Sequence, residues 1–230
     1  MSNPLANIIW NALETTQRSL ALTTPLARKY HRNIAPFAAI AENSPQAVAE
    51  LHSLMAVGEA LYVIAEDPLV AIEGLQAIGS ASVAQMLFPH DAPIPPTPPT
   101  APEILPLTCA DTPEMLALIA IAFPGFFRER TCIMGPYAGI RDQGQLVAMT
   151  GDRMAVDDLR EISAVCTHPD FTGRGLATHL ILHKLREHRA AGRTSFLHTG
   201  ADNARAIAIY ERLGFQHTRQ FTMQRLRREA

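Results

Sequence analysis

Apolar positions along the chain fall into helical and extended patterns. Leu5, Ile8, Ile9 and Leu13 follow Asn3-Pro4 at helical spacing. Val48, Leu51, Leu54 and Met55 repeat that spacing across 45–57, which predicts a second helix. Ile34 to Ile40, Leu61 to Ala65 and Ser82 to Phe88 are short apolar runs that read as strands. The alternation is clearer downstream. Ile104 to Thr108 reads as a strand, and Asp111-Thr-Pro-Glu114 opens a helix. Asp111 or Thr112 can cap it, Pro113 suits its first turn, and Leu116 to Ala122 continue it. Pro124 and Gly125 make Phe123 to Phe127 irregular. Tyr137 to Arg141 and Gln145 to Met154 read as strands paired around Asp142-Gln-Gly144, a hairpin signal. Glu161 to Thr167 and Thr194 to Thr199 are further strands. Leu176 to Ala191 is a helix ended by Gly192, and Asn203 to Leu213 is a helix stopped at Gly214. Terminal strands follow from Phe215. The order from residue 104 is β-α-β-β-β-α-β-α-β-β.

Eight of the 17 prolines lie between Pro89 and Pro106. Proline fixes φ and removes a backbone donor, so this stretch predicts an extended linker rather than a helix or central strand. It divides the chain into an N-terminal α/β part, 1–92, a linker, 93–102, and a larger part, 103–230. Residues 1–101 carry 4 basic and 8 acidic side chains, and residues 102–230 carry 16 and 14. The later part is the better suited to a polyanionic small molecule, but the excess is too small for nucleic acid. The N-terminal part shows no catalytic constellation, and Trp10, Tyr30, His31 and His52 read as core or surface residues.

The composition is that of a globular chain, with 47% hydrophobic residues, 18% charged residues and a net charge of −2. No run approaches a membrane span, and the start lacks the pattern of a signal peptide. The three cysteines, Cys109, Cys132 and Cys166, fit neither a disulfide scaffold nor a CxxC metal site. A reducing, cytoplasmic setting is therefore expected.

The chemistry concentrates in Glu161 to Ala177. A strand ends near Thr167, His168-Pro169-Asp170 turns the chain, and Gly173-Arg174-Gly175-Leu176-Ala177 opens a helix. The first N–H groups of a helix are unpaired and its dipole favours anions there. Glycines let a ligand approach the backbone, Ala177 keeps the approach open, and Arg174 adds charge. The expected ligand is a phosphate or pyrophosphate. The Gly-Lys-Ser/Thr ending of a Walker loop is missing, as is the third glycine of a dinucleotide fingerprint. Further on, Asn203, Ala206 and Tyr210 share a helix face ahead of Gly214-Phe215.

These two segments together resemble the acetyl-CoA-binding half of the GNAT superfamily of N-acetyltransferases. The family's loop pattern is Arg/Gln-x-x-Gly-x-Gly/Ala. Thr172-Gly-Arg-Gly175-Leu-Ala177 matches it except at Thr172, where the missing long donor puts cofactor affinity in question. The later pattern, Asn-x-x-Ala-x-x-x-Tyr followed by Gly-Phe, is matched throughout. The glycine N-acyltransferase-like branch is the subgroup it most resembles.

The resemblance implies a mixed, mostly antiparallel α/β (α+β) sheet flanked by helices over 103–230, with the N-terminal part a degenerate half-copy capping the acceptor cleft. It implies acetyl-CoA as acyl donor, held by Val165, Cys166, Thr167, Thr172, Gly173, Arg174, Gly175, Leu176, Ala177, Thr178, Asn203, Ala206 and Tyr210. Tyr210 becomes the general acid for the departing thiolate and Glu161 the candidate base, with Ser163 ordering a water and a strand N–H holding the oxyanion. A covalent role for Cys166 is disfavoured, because no histidine is placed to activate it. His179 and His183 have metal-ligand spacing but lack the glutamate of His-Glu-x-x-His, so no metal is expected. His198 lies near the expected cleft, and Phe123 to Phe127 is a candidate acceptor wall. The implied acceptor is a small-molecule amine, with no nucleic-acid or membrane partner, and the protein a monomer or homodimer. A longer acyl-CoA, or a non-catalytic acyl-CoA sensor, remains an alternative.

Overall fold

Strand β5 (Leu75–Leu87) stands between β10 (Thr194–Gly200) and β11 (Gln216–Arg228) in the computed structural model, which describes residues 3–97 and 101–229. The remaining strands are β1 (Ala21–Thr23), β2 (Ala27–Tyr30), β3 (Phe37–Ile40), β4 (Ala60–Ala65), β6 (Leu105–Leu107), β7 (Tyr137–Asp142), β8 (Gln145–Val156) and β9 (Leu159–Thr167). All eleven form one sheet in the order β1-β2-β3-β4-β11-β5-β10-β9-β8-β7-β6. Only β3–β4 and β9–β10 pair in parallel. The result is a mixed α/β fold whose sheet is mostly antiparallel.

Two halves of the sheet repeat one pairing scheme. β1-β2-β3-β4 and β7-β8-β9-β10 each run antiparallel, antiparallel, parallel, with a helix joining the parallel pair. Each half then borrows the other's last strand: β4 pairs with β11, and β10 pairs with β5. The division into 1–92 and 103–230 thus does not separate two sheets. Without β5, strands β10 and β11 are not neighbours.

The helices are α1 (Ile8–Glu14), α2 (Pro45–Leu54), α3 (Thr112–Ala122), α4 (Leu176–Ala190) and α5 (Ala204–Leu213). Leu5, Ile8, Ile9 and Leu13 bury α1 against Phe37, Phe196 and Phe221 on the inner face of the curled sheet. Met115, Leu118 and Ile119 seat α3 against Met149, Ala164 and Cys166. On the outer face, α4 and α5 pack on Met86, Ile162 and Leu197. Burial of these side chains contributes about 1.5–3 kcal/mol each to holding the layers together. The curl is strong enough that the Arg153 guanidinium of β8 lies 4.6 Å from the Phe37 ring of β3.

Three expectations change. The segment before β6 is not a free tether: Arg186 donates to Thr97 Oγ1 and the Pro95 carbonyl, and Arg189 to the Ala92 carbonyl, each at 2.6 Å. It lies along α4, although residues 98–100 of the expected linker fall outside the described residues. The terminal strands are a single strand, β11. Cys109 and Cys132 form a disulfide, which overturns the expectation of none. It ties the turn before α3 to the turn Thr131–Met134. No helix among the described residues is long and apolar enough to cross a membrane.

Candidate active site

The parallel ladder between β9 and β10 has three rungs, the last joining Glu161 to Phe196. Beyond it β9 continues to Thr167 and β10 to Gly200, with no pairing between them. The strands therefore part into a wedge whose β9 wall is Ile162 to Thr167. A bulge in that wall sets two β8 steps, Met149 to Gly151, against three β9 steps, Cys166 to Ser163. Ala164 absorbs it at φ +52°. Thr167 Oγ1 is buried at the wedge with no hydrogen-bond partner. A buried hydroxyl in that condition suits a polar ligand.

The chain then turns through Pro169–Phe171 into α4. Gly173 and Gly175 take φ +80° and +76°, and a Cβ built on either meets nothing within 4 Å. Both glycines thus face open space, in a conformation that side chains disfavour. Gly175 is the N-cap of α4 and supplies no side-chain cap. The N–H groups of Leu176, Ala177 and Thr178 lie in the first turn, where no carbonyl precedes them in the helix. The matching helix of the other half, α2, is capped by Ser44, which accepts from the Ala47 N–H. Of these two helix starts, only that of α4 is left without a side-chain cap, a geometry able to cradle an anion.

Around this cradle Thr172 Oγ1 donates to the Pro169 carbonyl at 2.9 Å and is turned back into its own turn. The Arg174 guanidinium lies 4.6 Å from the Phe171 ring, exposed and, among the described residues, paired with no carboxylate. Asn203 caps α5 by accepting from the Ala206 N–H at 3.1 Å. Tyr210 packs against Phe215, with ring centroids 5.8 Å apart, and shares a cluster with Val165 on the wedge. Burial pushes the Tyr210 phenol up to about 12. Cys166 points into the α3 core, where burial pushes its thiol up to about 12, far from a reactive thiolate.

Glu161 lies apart from that cluster, on the inner face, fully buried. Its carboxylate accepts from Arg153 Nε at 2.8 Å and Nη2 at 2.5 Å, and sits 2.7 Å from His198 Nδ1. Burial alone would raise Glu161, but the Arg153 guanidinium and His198 outweigh it and hold the carboxyl down at about 2. A carboxylate so well satisfied is a poor proton acceptor. His198 Nε2 meets Gln85 Nε2 at 3.1 Å, and Gln85 also donates to the Leu5 carbonyl. The network therefore joins four strands, β8, β9, β10 and β5, to the first turn of the chain. Arg153 and Gln85 have no local sequence signal. Arg153 falls in the irregular stretch of the β8–β9 ladder between Asp152 and Ala155, and Gln85 comes from the other half of the chain.

His179 Nε2 lies 2.9 Å from the Pro102 carbonyl, and His183 Nε2 lies 4.0 Å from Glu187. Phe126, in the irregular segment after α3, crosses to the opposite wall, stacks on Phe37 at 5.5 Å and meets Tyr62 edge to face at 5.0 Å.

The FR47-like protein family model matches residues 137–224, which span the wedge and both helix starts. A GNAT-family protein from Novosphingobium aromaticivorans aligns at 35% identity with a TM-score of 0.90, covering 100% of both chains. The chain belongs to the GNAT family. A GCN5-related N-acetyltransferase from Kribbella flavida shares the fold, with a TM-score of 0.63 at 18% identity over 98% of this chain and 95% of its own. A tandem GNAT protein from the clavulanic acid biosynthesis pathway shares it at 0.56 and 13% identity, over 86% and 77%. Among curated proteins no sequence matches. The fold points to acyl transfer from acetyl-CoA.

Proposed function

We propose that the protein is an acetyl-CoA-dependent N-acyltransferase that acetylates the amine of a small molecule by direct attack. The parting of β9 and β10 beyond Glu161 and Phe196, beside an uncapped glycine-lined helix start, carries this reading. Acetyl-CoA supplies an activated thioester carbonyl. Gly173, Arg174, Gly175, Leu176, Ala177 and Thr178 hold its phosphates by backbone N–H groups and charge. Val165, Cys166 and Thr167 offer strand backbone to the pantetheine arm, and Thr167 Oγ1 gains the partner it lacks. Asn203 and Ala206 open α5 beside the same wedge.

Tyr210 keeps its proton at neutral pH, since its phenol sits at about 12, and so is able to donate to a departing thiolate. Glu161 acts here as an anchor that orients His198 and Arg153, and the amine's proton leaves to water. Hydrogen exchange tests the donor site. Acetyl-CoA is expected to protect residues 162–167 and 173–178 most strongly. Protection elsewhere, with these segments unchanged, would sink the assignment.

A further inference from the structure

Arg225 leaves β11 on the inner face, in register with Tyr62 of β4 and Gly79 of β5. Its guanidinium lies 5.8 Å from the Tyr62 ring. Arg128 follows Phe126 in the chain, two residues on, and sits half-buried. Its Nη1 donates to the Gly125 and Phe127 carbonyls at 2.8 and 2.9 Å, which fixes the head group. Among the described residues neither guanidinium pairs with a carboxylate, a condition they share with most of the chain's arginines. Burial first, and the positive charge of Arg225 with it, push the Arg128 guanidinium below its usual range. Two cations beside one aromatic pair, Arg225 on Tyr62 and Arg128 on the Phe126 segment, create without an acid a potential that an anion relieves.

The surroundings are apolar and open. Phe126 and Tyr62 meet edge to face at 5.0 Å, and Phe123, 44% exposed, extends the aromatic wall. Gly79 to Ser82 are exposed small residues on a strand in the middle of the sheet. Gly200, at the mouth of the wedge, pairs with Val83 of β5, and Arg225 pairs with Gly79 of the same strand. Four residues along β5 and two strand spacings across it separate the wedge from the arginine. These amount to about 13 Å and about 10 Å before the curl and the side chain shorten them.

We infer that Arg128 and Arg225 clamp the carboxylate of an elongated acceptor, an amine joined to an acid through an aromatic or otherwise apolar body. The amine reaches the wedge while the body lies on Phe126 and Tyr62. Glycine is too short to span the two. This inference rests on the acyltransferase reading and names its acceptor class.

The test uses full-length protein with 4-(aminomethyl)benzoate and L-phenylalanyl-L-phenylalanine, each against its neutral amide, with glycine as a short acid. Thiol release gives kcat/KM. The acids are expected to exceed their amides by at least tenfold, and glycine to be poor. Arg225→Gln and Arg128→Lys should collapse the acid-to-amide ratio towards one. A ratio within twofold in the parent protein, or one that survives in both variants, overturns the inference. A second arm reads binding without turnover: the N-acetylated acids, with and without CoA, should raise the melting temperature more than the N-acetylated amides. Equal shifts also overturn it. Failure of acetyl-CoA to bind would instead strike the donor assignment, and the second arm would still decide the clamp.

Discussion

Glu161 and Phe196 are the last residues that β9 and β10 share before the strands part, and Glu161 is tied by its side chain to His198, two residues past that rung. The salt-bridged network with Arg153 thus sits at the apex of the wedge and fixes the angle at which it opens. Removing one member of a buried ion pair leaves the other uncompensated, at a cost of about 3–5 kcal/mol. Glu161→Gln should lose stability of that order.

The same residue gives a pH dependence with a definite sign. Its folded carboxyl sits at about 2, against 4.5 ordinarily. Its contribution is complete above the ordinary value and fades as pH falls from there towards 2. Chemical denaturation across that window should show the gap between the parent protein and Glu161→Gln closing as pH falls. Parallel curves would refute the ion pair. The pH–rate profile of the variant should keep its neutral limb, because so acidic a group does not produce it.

Gly175 carries φ +76° with open space beyond its Cβ position. Gly175→Ala should cost about 1 kcal/mol in backbone strain. It should also weaken acetyl-CoA about tenfold by intruding where the phosphates approach. Calorimetry and melting together check both; unchanged affinity would remove the loop from the donor site. Thr172→Arg, which adds a long donor beside the same loop, should tighten binding.

Tyr210→Phe deletes a hydroxyl with little change in packing against Phe215. Turnover should fall by about a hundredfold, the lower end of general-acid effects, with acetyl-CoA affinity nearly unchanged. Equal kcat in the variant would end the role of Tyr210 as acid.

The Cys109–Cys132 bridge closes a loop of sequence separation 23. Opening a loop of that size costs about 3 kcal/mol. Cys132→Ser should lower stability accordingly, and mass spectrometry after alkylation of unreduced, denatured protein should find one free thiol. Three would contradict the bridge.

Much of this was legible from residues because it is local. Periodicity and capping located α1 to α5 within a few residues, and glycines at a strand-to-helix junction marked the start of α4 that has no side-chain cap. What escaped depends on distant pairing. β1 and β2 are short and lack a clean alternation. Ser82 to Phe88 showed only the buried end of β5, because Gly79 to Ser82 are small and exposed. The proline segment read as a tether because proline reports local stiffness, whereas its docking depends on Arg186 and Arg189 far along the chain. Glu161 read as a base because Arg153 and His198 reach it only through the sheet. The cysteine pair carried no signal in spacing alone; folding α3 back against the Thr131–Met134 turn brings the two together.

Thiol release from acetyl-CoA, followed with a broad amine panel and matched to N-acetyl product by mass spectrometry, tests the central claim most directly. Equimolar CoA thiol and acetylated amine, falling together in Tyr210→Phe, is the expected result. Tight acetyl-CoA binding with no thiol released by any amine would contradict it and leave a binding protein in place of an enzyme.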